Sequence, residues 1–175
     1  FIDMLSSEAL KLATNPSLSS SHRRREIAKI LKRDFDMPWI ARFVLGRNWR
    51  LATPQQRKEY LSLFQAIVEH TYSRQFTDYS GQKISVLGHK IGKRKYIFVI
   101  SKIYDPKQSN INISVHWRLV PEGNSFKIVD VVIEGVSMGV TQRNEYASVL
   151  QRNGNSISAL IKAMRQSLAM LEKRE

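Results

Sequence analysis

The side chains in this sequence best suited to moving protons are His22, His70, His89, His116, Asp130 and Glu134, and their spacing argues against catalysis. No two histidines stand at metal-ligand spacing and no HExxH pattern occurs, so no metal site is expected. Asp130 and Glu134 sit four apart in a β-branched run. On one strand, residues four apart share a face but lie roughly 13 Å from each other, too far for one carboxylate to work with the other. Asp130 is expected instead to pair with a basic neighbour such as Arg118. The one acid–base pair left as a candidate is Asp130 with His70 on a separate helix. No GxSxG elbow frames a serine. Gly88 to Lys93 lacks the spacing and helix of a phosphate loop and reads as a basic hairpin turn. Cysteine is absent, which removes disulfides, thiol catalysis and thiolate metal sites together.

What the chain does have is charge. Its 28 basic against 15 acidic side chains leave +13, a surplus that attracts phosphates of nucleic acid or of anionic lipid. Two clusters carry much of it. One is His22 to Arg25 with Lys29, Lys32 and Arg33; the other is Lys90, Lys93, Arg94 and Lys95. Neither is joined to a reading motif. There is no helix-turn-helix with a recognition face and no pair of stacking aromatics on a strand, so a nucleic-acid module rests on charge alone and no nucleic-acid partner is expected. The longest apolar runs, such as Tyr96 to Ser101, are far short of the roughly 20 residues that span a bilayer.

The elements that would position these residues read as helices, then strands, then helices in a single domain spanning 1–175. Residues 1–35 form a helical N-terminal segment, with Phe1 to Thr14 ended by Asn15-Pro16 and Arg23 to Phe35 carrying Ile27, Ile30 and Leu31 on one stripe. Residues 36–80 hold two more helices. Asp36 caps Met37 to Leu45 with Gly46 as the stop, and Thr53-Pro54-Gln55-Gln56 is a capping box opening a long helix that runs toward Phe76. Residues 83–134 change to β-branched and aromatic content, with strands at Lys83 to His89, Lys95 to Tyr104, Ile111 to Val120 and Phe126 to Ile133. Ile111, Ile113, Val115, Trp117 and Leu119 alternate with polar residues, so one face is buried. Short turns at Gly88 to Lys93, Asp105-Pro106 and Glu122-Gly123-Asn124 make the sheet an antiparallel meander. Residues 139–173 return to helices: Gln142 to Gln151, then a last one capped by Asn155. The predicted fold class is α+β, with helices gathered on one sheet face. No internal repeat is present. These patterns describe apolar faces and do not distinguish a filled core from a cavity.

Three segments carry a family resemblance: Ala52 to Tyr60 continuing to Phe64; Val115-His116-Trp117-Arg118; and Asp130 to Met138 followed by Gln142-Arg143-Asn144-Glu145-Tyr146. In this order and spacing the chain resembles the MlaC family, also called the toluene-tolerance Ttg2 auxiliary family, from about Asp34 to Met164. The resemblance implies a non-enzymatic periplasmic phospholipid carrier, exported with a signal peptide. It would act as a monomer between an inner-membrane ABC transporter complex and an outer-membrane lipoprotein–porin complex to maintain outer-membrane lipid asymmetry. An opening Phe1, without initiator Met or charged n-region, fits a mature chain or a trimmed one. The implied fold is a four- or five-stranded antiparallel sheet with helices, like nuclear-transport-factor-2 domains, enclosing acyl tails. No cofactor is expected; bound lipid is. A sister branch of the family implies a hopanoid or another isoprenoid lipid as the alternative ligand, and a small-molecule enzyme on the same cavity is the second alternative. The residues expected to line the tail pocket are Ile40, Val44, Tyr60, Phe64, Ile67, Val99, Val115, Trp117, Val131, Val136, Met138 and Ile161.

Overall fold

The computed structural model describes residues 1–75 and 81–173, so the expected reach of the long helix to Phe76 lies outside the described residues, as do the side chains of Ile111 and Arg94. Local signals place the helices. Helix α1 (Ile2–Thr14) turns Ile2, Leu5 and Ala13 inward and stops before Pro16, which cannot continue it. Helix α2 (Ser20–Asp34) starts where Ser19 Oγ accepts from the His22 N–H. Helix α3 (Met37–Leu45) starts where the Asp36 carboxylate accepts from the Trp39 N–H at 3.0 Å. It ends at Gly46, whose φ of 60° disfavours any side chain and whose open flank is filled by the Arg143 guanidinium. Helix α4 (Pro54–Gln75) opens with the expected reciprocal box: Thr53 N–H to Gln56 Oε1 at 2.9 Å, and Gln56 N–H to Thr53 Oγ1 at 3.2 Å.

Five strands follow in sequence order, each antiparallel to the next: β1 (Lys83–Ile91), β2 (Ile97–Asp105), β3 (Gln108–Glu122), β4 (Ser125–Ile133) and β5 (Val136–Ser137). The first turn falls later than Gly88. Strand β1 absorbs Gly88 beside a bulge and runs to Ile91, and the chain reverses through a short 3₁₀ turn at Lys93–Lys95 closed by the Gly92 N–H on the Tyr96 carbonyl. Lys95 takes φ 63° there, so β2 begins at Ile97 and not at Lys95. The two-residue β5 is too short to leave a periodic signal.

It also explains the early start of helix α5 (Met138–Arg152), expected at Gln142: Ser137 ends β5 and caps the helix by accepting from the Val140 N–H. Helix α6 (Ile157–Glu172) is capped by Ser156, one residue beyond the expected Asn155. Asn155 instead takes the left-handed conformation at φ 59°, where its N–H closes the α5 terminus on the Leu150 carbonyl.

The inward sheet face carries Val99, Ser101, Val115, Leu119 and Ile128, all buried. Phe35 pairs with Ile128 as an isolated parallel bridge, and the Asp36 N–H donates to the Ile128 carbonyl at 2.9 Å. The corner between α2 and α3 is thereby pinned to β4. Helix α1 is held by two arginines of α2. Arg23 donates to the carbonyls of Leu12 and Asn15 at 3.1 Å, and Arg33 makes a two-point contact with Glu8 at 3.0 and 2.7 Å. The hydrogen bond from Arg33 holds the Glu8 carboxyl below its ordinary range. The first basic cluster is thus partly committed to the chain's own structure. Lys29 is taken up by Glu26 as well.

Candidate functional site

Between the sheet and helices α1 to α4 lies a cavity of about 580 Å³. Its floor is the inward face of the sheet at one end, with Ile103, Val115, Trp117, Val131 and Ile133. Its walls are Leu5 and Leu10 of α1, Ile30 and Leu31 of α2, Ile40 and Val44 of α3, and Phe64, Val68 and Tyr72 of α4. Met138 and Gly139 of α5 close one side. Polar groups sit where the lining reaches solvent, at Asp3, Ser7 and Lys83. One hydroxyl on the α1 wall, Ser6 Oγ, is buried with no hydrogen-bond partner among the described residues.

Seven of the expected residues line this space: Ile40, Val44, Phe64, Val115, Trp117, Val131 and Met138. Trp117 is held in place there by its indole N–H, which donates to Ser101 Oγ at 2.9 Å, while that hydroxyl donates to the Val115 carbonyl. The other five do not line it. Tyr60 is fully buried away from the cavity, its hydroxyl donating to the Ala41 carbonyl at 2.9 Å and its ring against Phe64 and Tyr146. Ile161 is buried on α6, which packs on α4 and α5 rather than on the sheet. Tyr60 stands one turn before Phe64 on the same face of α4, so helical spacing alone does not separate the stretch packed on α3 and α5 from the stretch that lines the cavity. Ile67 is half-buried against the core, Val99 lies on the inward sheet face beyond the cavity, and Val136 is 53% exposed on β5. Some lining residues missed by sequence reasoning were within its reach. Val68 and Tyr72 follow Phe64 at steps of four on the same helical face. Helix α1, expected only as part of a helical N-terminal segment, supplies a whole wall through Leu5, Ala9 and Leu10.

Asp130 stands at the cavity edge with its side chain 5% exposed. One oxygen accepts from Ser137 Oγ at 2.7 Å and the other from the Gly139 N–H at 3.0 Å. Arg118, opposite it across the strands, comes to 4.0 Å while lying over the rings of Tyr96 and Phe98. The expected Arg118 pairing is present, with two hydrogen bonds added that the sequence did not signal. Glu134 closes the ladder end by accepting from the Ser114 N–H. His70 is not among the lining residues, so the Asp130–His70 pair of the enzyme reading is not assembled in the cavity. Among the described residues no acidic, histidine or cysteine cluster could hold a metal, and no helix is long and apolar enough to cross a membrane.

Burial pushes the phenols of Tyr60 and Tyr146 well above their ordinary value, with smaller contributions from the neighbouring phenol and from Glu145. The folded chain keeps both protons at a pH where the unfolded chain, with phenols near 10, releases them. This stability is fully present below pH 10 and drains away as pH rises beyond it. The urea midpoint is expected to stay level from neutral pH to about 9 and to fall above about 10, less steeply in Tyr146→Phe. An identical alkaline slope in that variant would contradict the assignment.

A family model described as MlaC protein matches residues 3–166. The chain belongs to the MlaC protein family. It is 29% identical over 126 residues to a protein of Haemophilus influenzae named intermembrane phospholipid transport system binding protein MlaC, covering 71% of this chain and 58% of that protein. It is 27% identical over 112 residues to the toluene tolerance protein ttg2D of Pseudomonas putida, covering 64% and 51%. The matches thus span a little over half the length of these curated relatives. In three dimensions it matches a phospholipid-binding protein of Ralstonia solanacearum, solved in complex with a phospholipid. The TM-score is 0.80 at 18% identity, over 98% of this chain and 96% of that one. That likeness establishes an MlaC-type α+β fold with a five-stranded antiparallel sheet. The relatives named here bear on phospholipid and lend no support to the hopanoid alternative.

Proposed function

We propose that this MlaC-family chain is a phospholipid carrier and not an enzyme, holding acyl tail in the cavity with the headgroup at its mouth. The observation that carries this reading is an apolar space of about 580 Å³ inside a chain of this family. A filled core has no room of that size. At about 30 Å³ for a water-sized group such as a methylene, the space takes roughly twenty of them, one long tail's worth. Each buried methylene contributes about 0.8 kcal/mol, so a tail of that length is held by roughly 16 kcal/mol before the cost of ordering it. Ser6 Oγ offers a donor within reach of the cavity for an ester oxygen.

The names of the relatives support a place in intermembrane phospholipid transport. Working in the periplasm, the chain would take lipid from or deliver it to an inner-membrane ABC transporter complex and an outer-membrane lipoprotein complex, acting as a monomer and needing no cofactor. Mass spectrometry of organic extracts from the purified protein tests the carrier reading, with phospholipid expected at a stoichiometric level. Repeated ligand-free preparations that also fail to take up lipid from vesicles would overturn it.

A further inference from the structure

The second basic cluster has no role in the cavity. From Gly81 to Tyr104 the chain carries six lysines and arginines and no acidic residue. At the β1–β2 turn Lys90, Lys93 and Lys95 are all exposed, and none has an ion pair or hydrogen bond among the described residues. The contrast with α2 is direct, since Arg23, Lys29 and Arg33 there are taken up by the chain itself.

Two large aliphatic side chains accompany the free lysines. Ile91, the last residue of β1, is 78% exposed, and Leu87, the extra residue of the β1 bulge, is 60% exposed. Bulges re-aim side chains, and this one turns a leucine to solvent on an edge strand. Protecting a free edge from pairing calls for lysine alone and not for exposed leucine and isoleucine. Exposed lysines and exposed aliphatics side by side along one edge strand and its turn match an anionic bilayer surface, which offers phosphates outside and hydrocarbon just beneath.

We propose that the β1–β2 hairpin tip is a contact site for anionic membrane surfaces. The cavity lining reaches the other end of β1 at Lys83 and Ile84, roughly 10 Å along the strand from Leu87 and roughly 20 Å from Lys90 and Ile91. Attachment by the tip therefore leaves the mouth free, and the site tethers the protein without occupying its cargo space.

The test is co-sedimentation of the purified protein with vesicles of phosphatidylglycerol and phosphatidylcholine in equal parts, and with phosphatidylcholine alone. Binding is expected to the first and not to the second. Replacing Lys90, Lys93 and Lys95 together by Gln is expected to weaken it about a hundredfold, at the usual worth of three cations near an anionic surface. The control Lys32→Gln, Lys58→Gln, Lys162→Gln removes the same charge from exposed positions elsewhere and should weaken it by less than about tenfold. The double variant Leu87→Ser, Ile91→Ser should leave binding that salt abolishes completely. Equal losses in the two lysine triples would assign the effect to net charge and overturn the proposal. So would absence of binding to anionic vesicles, including the case where the tip instead captures an acidic protein. Lipid content by extraction should be unchanged in the tip variants, which keeps this result separate from the carrier reading.

Discussion

Replacing Asp130 with Ala is expected to lower stability by about 2–4 kcal/mol, the effect of removing a buried carboxylate that accepts two hydrogen bonds. The carboxylate has almost no access to water and joins three pieces of chain: β3 through Arg118, the end of β5 through Ser137, and the first turn of α5 through Gly139. Without it the Gly139 N–H loses its acceptor. Arg118 is left among Tyr96 and Phe98 with its Nε already unpartnered among the described residues. Asp130→Asn keeps one acceptor oxygen and should lose distinctly less. Exchanging the charges of Arg118 and Asp130 should not restore stability, because Ser137 and Gly139 both need an acceptor where the arginine would stand. Urea unfolding of the three variants decides the matter, and an Asp130→Ala cost below about 1 kcal/mol would contradict this account.

The second large effect concerns cargo. Val115→Trp is expected to lower phospholipid occupancy roughly ten- to fiftyfold, the result of removing room for two or three methylenes at about 0.8 kcal/mol each. Val115 lies in the cavity floor, cross-strand from Ile133 on the same face, and is 2% exposed. An indole there has the cavity to grow into, so its own cost should stay near 1–3 kcal/mol. Ile161→Trp provides the comparison. That residue is equally buried but stands on α6 outside the cavity, and its enlargement should destabilise the fold without changing lipid content per folded molecule. Wild-type loading in Val115→Trp, or equal losses in both variants, would place the tail elsewhere.

Where a local signal decides structure, the sequence was readable. The Thr53–Gln56 box, the Asp36 cap and the alternation through Val115, Trp117 and Leu119 each depend on neighbouring residues only, and each occurs as expected. Boundaries set by distant partners were not readable in the same way. The start of α5 at Met138 depends on Ser137 pairing beside Val132 in β5 and on Asp130 reaching Gly139. The site was legible in part for the same reason. Phe64 and Tyr60 have identical credentials as aromatic residues on an apolar stripe of α4. One helical turn separates them: Tyr60 packs on Ala41 of α3 and Tyr146 of α5 and is solid interior, whereas Phe64 reaches the cavity wall. Hollowness itself leaves no periodicity, because a wall and a core contact present the same residue types.

That division of α4 has a consequence for the working life of the protein. Tyr60, Tyr146, Leu150, Leu160 and Ile161 form a packed mass that needs no guest. On the proposed carrier reading, acyl tail would lie in the space that begins one turn further along the same face of the helix, at Phe64. A protein that carried lipid one way, as proposed, would return empty, and a fold whose only interior were its cargo space would come apart on that leg. Here the keel is built in, and the hold can be emptied.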